Sequence, residues 1–166
     1  ETYQLLTNAT KSYLRFNLAG LGAVSSATLK LSLLNVREYD KFEYTALSIG
    51  LLGESSDDWI ENAITWSNAP QNNLTSYGFN TPVVSLGSSY YFADDTTPSG
   101  TVIPFALSAA NLNANRGANQ LVTLGLYHSG GAYVDWASRE HPDLPPPALE
   151  LIVTTNVPPR ASFLRA

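Results

Sequence analysis

Ser26-Ala27-Thr28-Leu29-Lys30-Leu31-Ser32-Leu33-Leu34-Asn35 is the stretch whose pattern decides the fold. Ala27, Leu29, Leu31 and Leu33 fall on one side of an extended chain, and Thr28, Lys30 and Ser32 fall on the other. That is the period-two alternation of a strand with one face buried. Gly20-Leu21-Gly22 supplies a turn before it. Upstream of the turn, Tyr13 to Leu18 repeats the pattern, with Leu14, Phe16 and Leu18 assigned to the core and Tyr13, Arg15 and Asn17 to the other face. Further strands are expected at Tyr44 to Leu52, Pro82 to Leu86, Gly100 to Leu107, Gln120 to His128, Ala132 to Ala137 and Ala148 to Thr154, separated by Gly, Pro, Asn and Asp clusters. Ser108 can cap one short helix ending near Arg116 and Gly117. The sum is an all-β, antiparallel two-sheet sandwich over residues 1–155, with a tail at 156–166.

Composition narrows the function. The chain has 166 residues, enough to bury a full core as one domain. It has no cysteine, which removes disulfides, thiol nucleophiles and Cys-ligated metals. Only 14% of residues are charged and the net charge is -5, so no basic face offers itself to nucleic acid. No run is long and apolar enough to span a membrane. The chain opens without Met and is read as processed or trimmed. Asn8 and Asn73 head glycosylation triplets.

One stretch reads neither as strand nor as helix: Trp59-Ile60-Glu61-Asn62-Ala63-Ile64-Thr65-Trp66-Ser67-Asn68-Ala69-Pro70. It holds two of the three tryptophans, and buried indole N–H groups need acceptors, so the polar residues between them are expected to serve locally. Trp59 and Trp66 are assigned a mainly structural role under a long crossing loop, with Trp66 the deeper of the two. Glu61 is expected to cap or orient that loop, and Arg139 to pair with Glu140.

This run, with Asp57 and Asp58 before it, resembles the signature of DNRLRE-type domains, also classed as family-96 carbohydrate-binding modules. The Tyr13–Leu18 and Val24–Leu31 strands, Val102 to Leu107, Leu121 to Leu126, and Ala137 to Glu140 with Pro147 to Val153 are similar to other parts of the family pattern. The resemblance implies a jelly-roll-like sandwich of secreted or surface proteins, with glycan binding in some members. It also marks Trp59, Glu61, Trp66, Asn68, Pro70, Arg139 and Glu140 as motif residues. The family's usual opening strand has no counterpart before Thr2. Without it, an unpaired sheet edge and a slot in the core would stand open to a foreign strand.

Catalysis finds little support. Asp135, His128, His141, Ser138 and Asp143 form no recognisable hydrolase set, and neither Glu61 nor Glu140 has a marked acidic partner. Calcium is the one cofactor considered, with Asp57, Asp58, Asp94 and Asp95 as weak ligand candidates lacking EF-hand spacing. Tyr90 and Tyr91 with Phe92, and Tyr39, Phe42 and Tyr44, are the aromatics most free to stack on sugars. Tyr133 and Trp136, with Tyr127, are a second platform. Alternation puts Trp136 with Val134 and Tyr133 with Asp135.

Two functions follow. The first is a non-catalytic structural subunit of an extracellular fibre or matrix, its copies joined by strand addition, with Val157, Phe163 and Leu164 of the tail filling pockets on a neighbour. The second is a carbohydrate-binding module of a secreted or surface protein, with a polysaccharide partner. The first is preferred on the missing strand and the tail.

Overall fold

The structure is a computed structural model that describes residues 11–37, 45–76, 78–91, 96–130 and 133–154. These form β1 (Lys11–Asn17), β2 (Val24–Arg37), β3 (Thr45–Leu52), β4 (Val83–Tyr91), β5 (Val102–Leu107), α1 (Ala109–Asn115), β6 (Leu121–Gly130), β7 (Tyr133–Trp136) and β8 (Ala148–Val153). The strands make two antiparallel sheets. One has the order β1-β6-β3-β4; the other has β5-β2-β7, with β8 also paired to β2. The all-β sandwich with one short helix is therefore the observed architecture.

β2 organises the second sheet because its length serves three partners. One edge pairs with β5 over Ala27 to Ser32; the other pairs with β8 over Val24 to Lys30 and with β7 from Leu33 to Arg37. Its inward residues Ala27, Leu29, Leu31 and Leu33 are buried, as the alternation requires. They meet Leu47, Ile49, Leu51, Val122, Leu124 and Leu126 from the first sheet, and Phe105 from β5. Ser32 is buried on the opposite face, where its hydroxyl donates to the Pro145 carbonyl at 2.7 Å. The chain leaves the edge of β2 after Ala137 and returns at Ala148, so residues 138–147 form an excursion from one otherwise shared edge.

The helix forms where expected. Ser108 caps it by accepting from the Asn111 N–H at 3.2 Å, and Leu112 is buried. Asn113 fastens it to β2 with two hydrogen bonds to the Val24 backbone, at 2.9 and 2.7 Å. It closes at Arg116, in extended conformation, one residue before the Gly117 expected to end it.

The β3–β4 connection crosses the outer face of the first sheet. Outward residues of β1 and β6 hold it there. Thr123, outward on β6, is fully buried and donates to Asp57 Oδ1 at 2.6 Å, while the Trp59 indole N–H donates to Thr123 Oγ1 at 3.2 Å. Arg15 donates to the Asp57 and Trp59 carbonyls at 2.7 and 2.8 Å, with its guanidinium 5.0 Å from the Trp59 ring. Phe79 makes edge-on contacts with Tyr13 at 5.7 Å and Tyr127 at 5.8 Å. It presses on Gly125, where a Cβ would lie 2.5 Å from its ring, so only glycine fits beneath it.

Candidate functional site

A groove of about 370 Å³ opens along β1, between that strand and residues 136–140 at the end of β7. Among the described residues, β1 is the terminal strand of its sheet. Leu14 and Phe16 line the groove from their inward side, and Leu31, Leu126 and Trp136 lie deeper. Tyr13, Trp59 and Glu61 form one rim; Ser138, Arg139 and Glu140 form the other. The expectation of an unpaired edge beside a slot turns on residues 1–10, which lie outside the described residues.

The two rims are joined. Arg139 donates to Glu61 at 2.8 Å and to Glu140 at 3.0 Å, linking the tryptophan segment to the 138–147 excursion. The bonded carboxylates raise the Arg139 pKa. The Arg139 hydrogen bond in turn pulls the Glu140 carboxyl down. Arg139 remains 72% exposed, so its remaining N–H groups face solvent and the groove. Tyr13 has a buried hydroxyl with no hydrogen-bond partner among the described residues, and burial pushes its pKa up to about 12.

The expected Arg139–Glu140 pair is thus present. Glu61, expected to cap or orient the loop, leaves the short 3-10 turn Glu61–Ala63 without a side-chain cap, and its carboxylate reaches across to Arg139. The expected order of the tryptophans is reversed. Trp66 is 38% exposed, whereas Trp59 is half-buried against Tyr13 at 6.3 Å and bonded to Thr123. Trp59 lies over Thr123 on β6, whereas Trp66 lies beside Lys11 at the start of β1. The Lys11 ammonium lies 4.8 Å from the Trp66 ring and donates to Asn72 Oδ1, Asn73 O and Ser76 O at 2.6, 3.0 and 3.1 Å. Burial lowers its pKa to about 8, while three acceptors and two ring faces favour the proton. Asn68 shapes the loop, accepting from Thr65 N–H and donating to the Ala63 carbonyl. Pro70 is half-buried in the following turn.

Asp57 is buried and accepts from Thr123 and Asn119, and Asp58 is exposed. No cluster of three acids or histidines occurs among the described residues; Asp94 and Asp95 lie outside them. Trp136 is half-buried, edge-on to Phe105 at 5.8 Å. Tyr90 and Tyr91 end β4 opposite Ala46 and Thr45, and Tyr133 opens β7 opposite Arg37. Val157, Phe163 and Leu164 lie outside the described residues, as do Tyr39, Phe42, Tyr44 and Phe92.

Sequence reasoning missed Lys11, Tyr13, Arg15 and Thr123 as site-building residues. The available signal was the outward face of β1, where Lys11, Tyr13 and Arg15 alternate with the apolar set and suit a second layer better than open water.

The fold defines the class: an antiparallel two-sheet β-sandwich, here with a lateral groove that has an apolar floor and a rim carrying Arg139, Glu61 and Glu140. Residues 2–98 match carbohydrate-binding module family 96, and the chain belongs to that family. The match ends before β5, so the similar segments assigned beyond it, including Arg139 and Glu140, stand on the sequence resemblance and the groove. No match to a curated protein accompanies it. Among the described residues, no helix is long and apolar enough to cross a membrane.

Proposed function

We propose that this chain is a non-catalytic carbohydrate-binding domain of a secreted or surface protein, and that a polysaccharide lies in the groove along β1. Membership of a carbohydrate-binding family is the observation that carries the reading. The groove supports its location. A sugar ring has apolar C–H faces and a polar circumference, and Leu14, Phe16 and Trp136 offer a floor for the first while Arg139, Glu61 and Glu140 offer partners for the second. The charge state speaks against glycoside cleavage, because Arg139 pulls the Glu140 carboxyl down, the reverse of what a general acid needs.

Of the two functions drawn from the sequence, family membership backs the second, although the first was preferred. The fibre reading rests on residues 1–10 and 156–166, which lie outside the described residues, and on the β1 edge alone. The test of the carbohydrate-binding reading is retardation in native gels cast with a panel of neutral and acidic polysaccharides. At least one should slow the wild-type protein and slow Arg139→Ala less, at an exposed position where folding is preserved. Unretarded migration in every gel would dismiss the reading.

A further inference from the structure

A second groove, of about 390 Å³, lies beside the first, and the two share Ser12, Leu126 and Trp136 in their walls. The two grooves adjoin at these residues. The second groove adds Leu34, His128 and Asp135.

Both sheets are irregular where it opens. The β2–β7 ladder slips between Leu33 and Asn35, leaving Leu34 without an opposed residue. The β3–β6 ladder slips between Ala46 and Leu47, leaving Ser129 unopposed next to His128. Bulges bend a strand and re-aim neighbouring side chains, and they recur beside binding sites. Here they flank the same space from opposite sheets.

His128 shares the inward alternation of Val122, Leu124 and Leu126, so an imidazole occupies the position where the apolar series would continue. Its Nδ1 is buried and has no hydrogen-bond partner among the described residues. A buried polar atom left unsatisfied is costly, which favours a ligand that supplies the missing partner. Burial lowers the His128 pKa against an opposing pull from Asp135. A neutral imidazole in the groove wall, with an unsatisfied Nδ1, suits a hydroxyl that reaches it, and the Asp135 carboxylate has lone pairs to accept a second hydroxyl beside the interaction it already makes.

We propose that the second groove is a further saccharide subsite, adjoining the first at Trp136, in which ring hydroxyls hydrogen-bond to His128 Nδ1 and to the Asp135 carboxylate. This rests on the carbohydrate-binding reading above and extends it: the ligand is an oligosaccharide long enough to lie in both grooves, with neighbouring hydroxyls on the ring that meets His128.

The polysaccharide that slows the wild-type protein in gels is partially hydrolysed, and its disaccharide and hexasaccharide are titrated calorimetrically into wild type, His128→Ala and His128→Gln. The hexasaccharide should bind wild type more tightly than the disaccharide. His128→Ala should shrink that ratio by about three- to tenfold, as expected for one lost hydrogen bond, and His128→Gln should restore part of it. If the alanine variant does not fold, the imidazole nitrogen spectrum of the wild type decides, because the His128 Nδ1 resonance should move when hexasaccharide is added. An equal ratio in wild type and both variants, or an unmoved resonance at saturation, overturns the second subsite and leaves the first standing. Failure of either oligosaccharide to bind wild type removes both.

Discussion

The space between the sheets and the outer face of the β1-β6-β3-β4 sheet are both buried layers, yet they are built by different chemistry. The inner layer is aliphatic, with Leu29, Leu31, Leu33, Leu47 and Leu124 almost wholly buried around Phe105. The outer one is aromatic and polar. Trp59 and Phe79 of the β3–β4 loop pack on Tyr13, and Arg15, Thr123 and Lys11 fasten that loop to the sheet. The inner layer gains from area removed from water, without regard to direction. The outer depends on directed bonds between residues far apart in sequence, each weak alone and dependent on the others.

That difference orders the expected effects. The largest belongs to the inner layer: Phe105→Ala, at 1% exposure, should cost about 3–5 kcal/mol in denaturant melts. A smaller loss would mean that the sheets close over the cavity. In the outer layer, Trp59→Ala should cost about 3 kcal/mol and Trp66→Ala about 1 kcal/mol, since only Trp59 is half-buried and bonded to Thr123. Equal costs would erase the reversed order of the two tryptophans.

Lys11→Met keeps a stem against Trp66 and removes the ammonium from its three acceptors. Hydrogen exchange at residues 65–76 should then speed up by the equivalent of about 1–2 kcal/mol, with β2 unchanged. Loss of β2 protection as well would show that the two layers unfold as one. The smallest effect is a pH slope from His128. Its folded pKa lies below the ordinary 6.5 because burial disfavours the imidazolium. Its contribution is therefore fully present above pH 6.5 and is lost as pH falls through the folded value. Stability should decline in that window for wild type and less for His128→Gln; identical slopes would place the acid sensitivity elsewhere.

The inner layer was legible because alternation reports directly which side of a strand faces a core. β2 and β1 could be read residue by residue, and Ser108 announced the helix it caps. β4 ran farther than expected, to Tyr91, because its pairing with β3 continues through Gly87 and beyond the apolar run that marked it. The outer layer was not legible in the same way. Lys11, Tyr13 and Arg15 have the polarity of a solvent face, and only the folded loop shows what covers them. The order of Trp59 and Trp66 was misread for this reason: their spacing gives no hint that one lies over Thr123 and the other beneath Lys11. Within the groove, the tryptophan motif and Arg139-Glu140 were identified separately, but their meeting through Glu61 depends on a contact spanning 78 positions.

The central claim is that the groove along β1 is where carbohydrate binds. Backbone amide shift mapping during titration with the retained oligosaccharide tests it most directly. The account predicts perturbations concentrated at Ser12 to Phe16, Glu61 and residues 136–140, spreading toward His128 with longer chains. Perturbations confined to β5, α1 or the exposed face of the 65–76 segment, with the β1 amides unmoved, would contradict it.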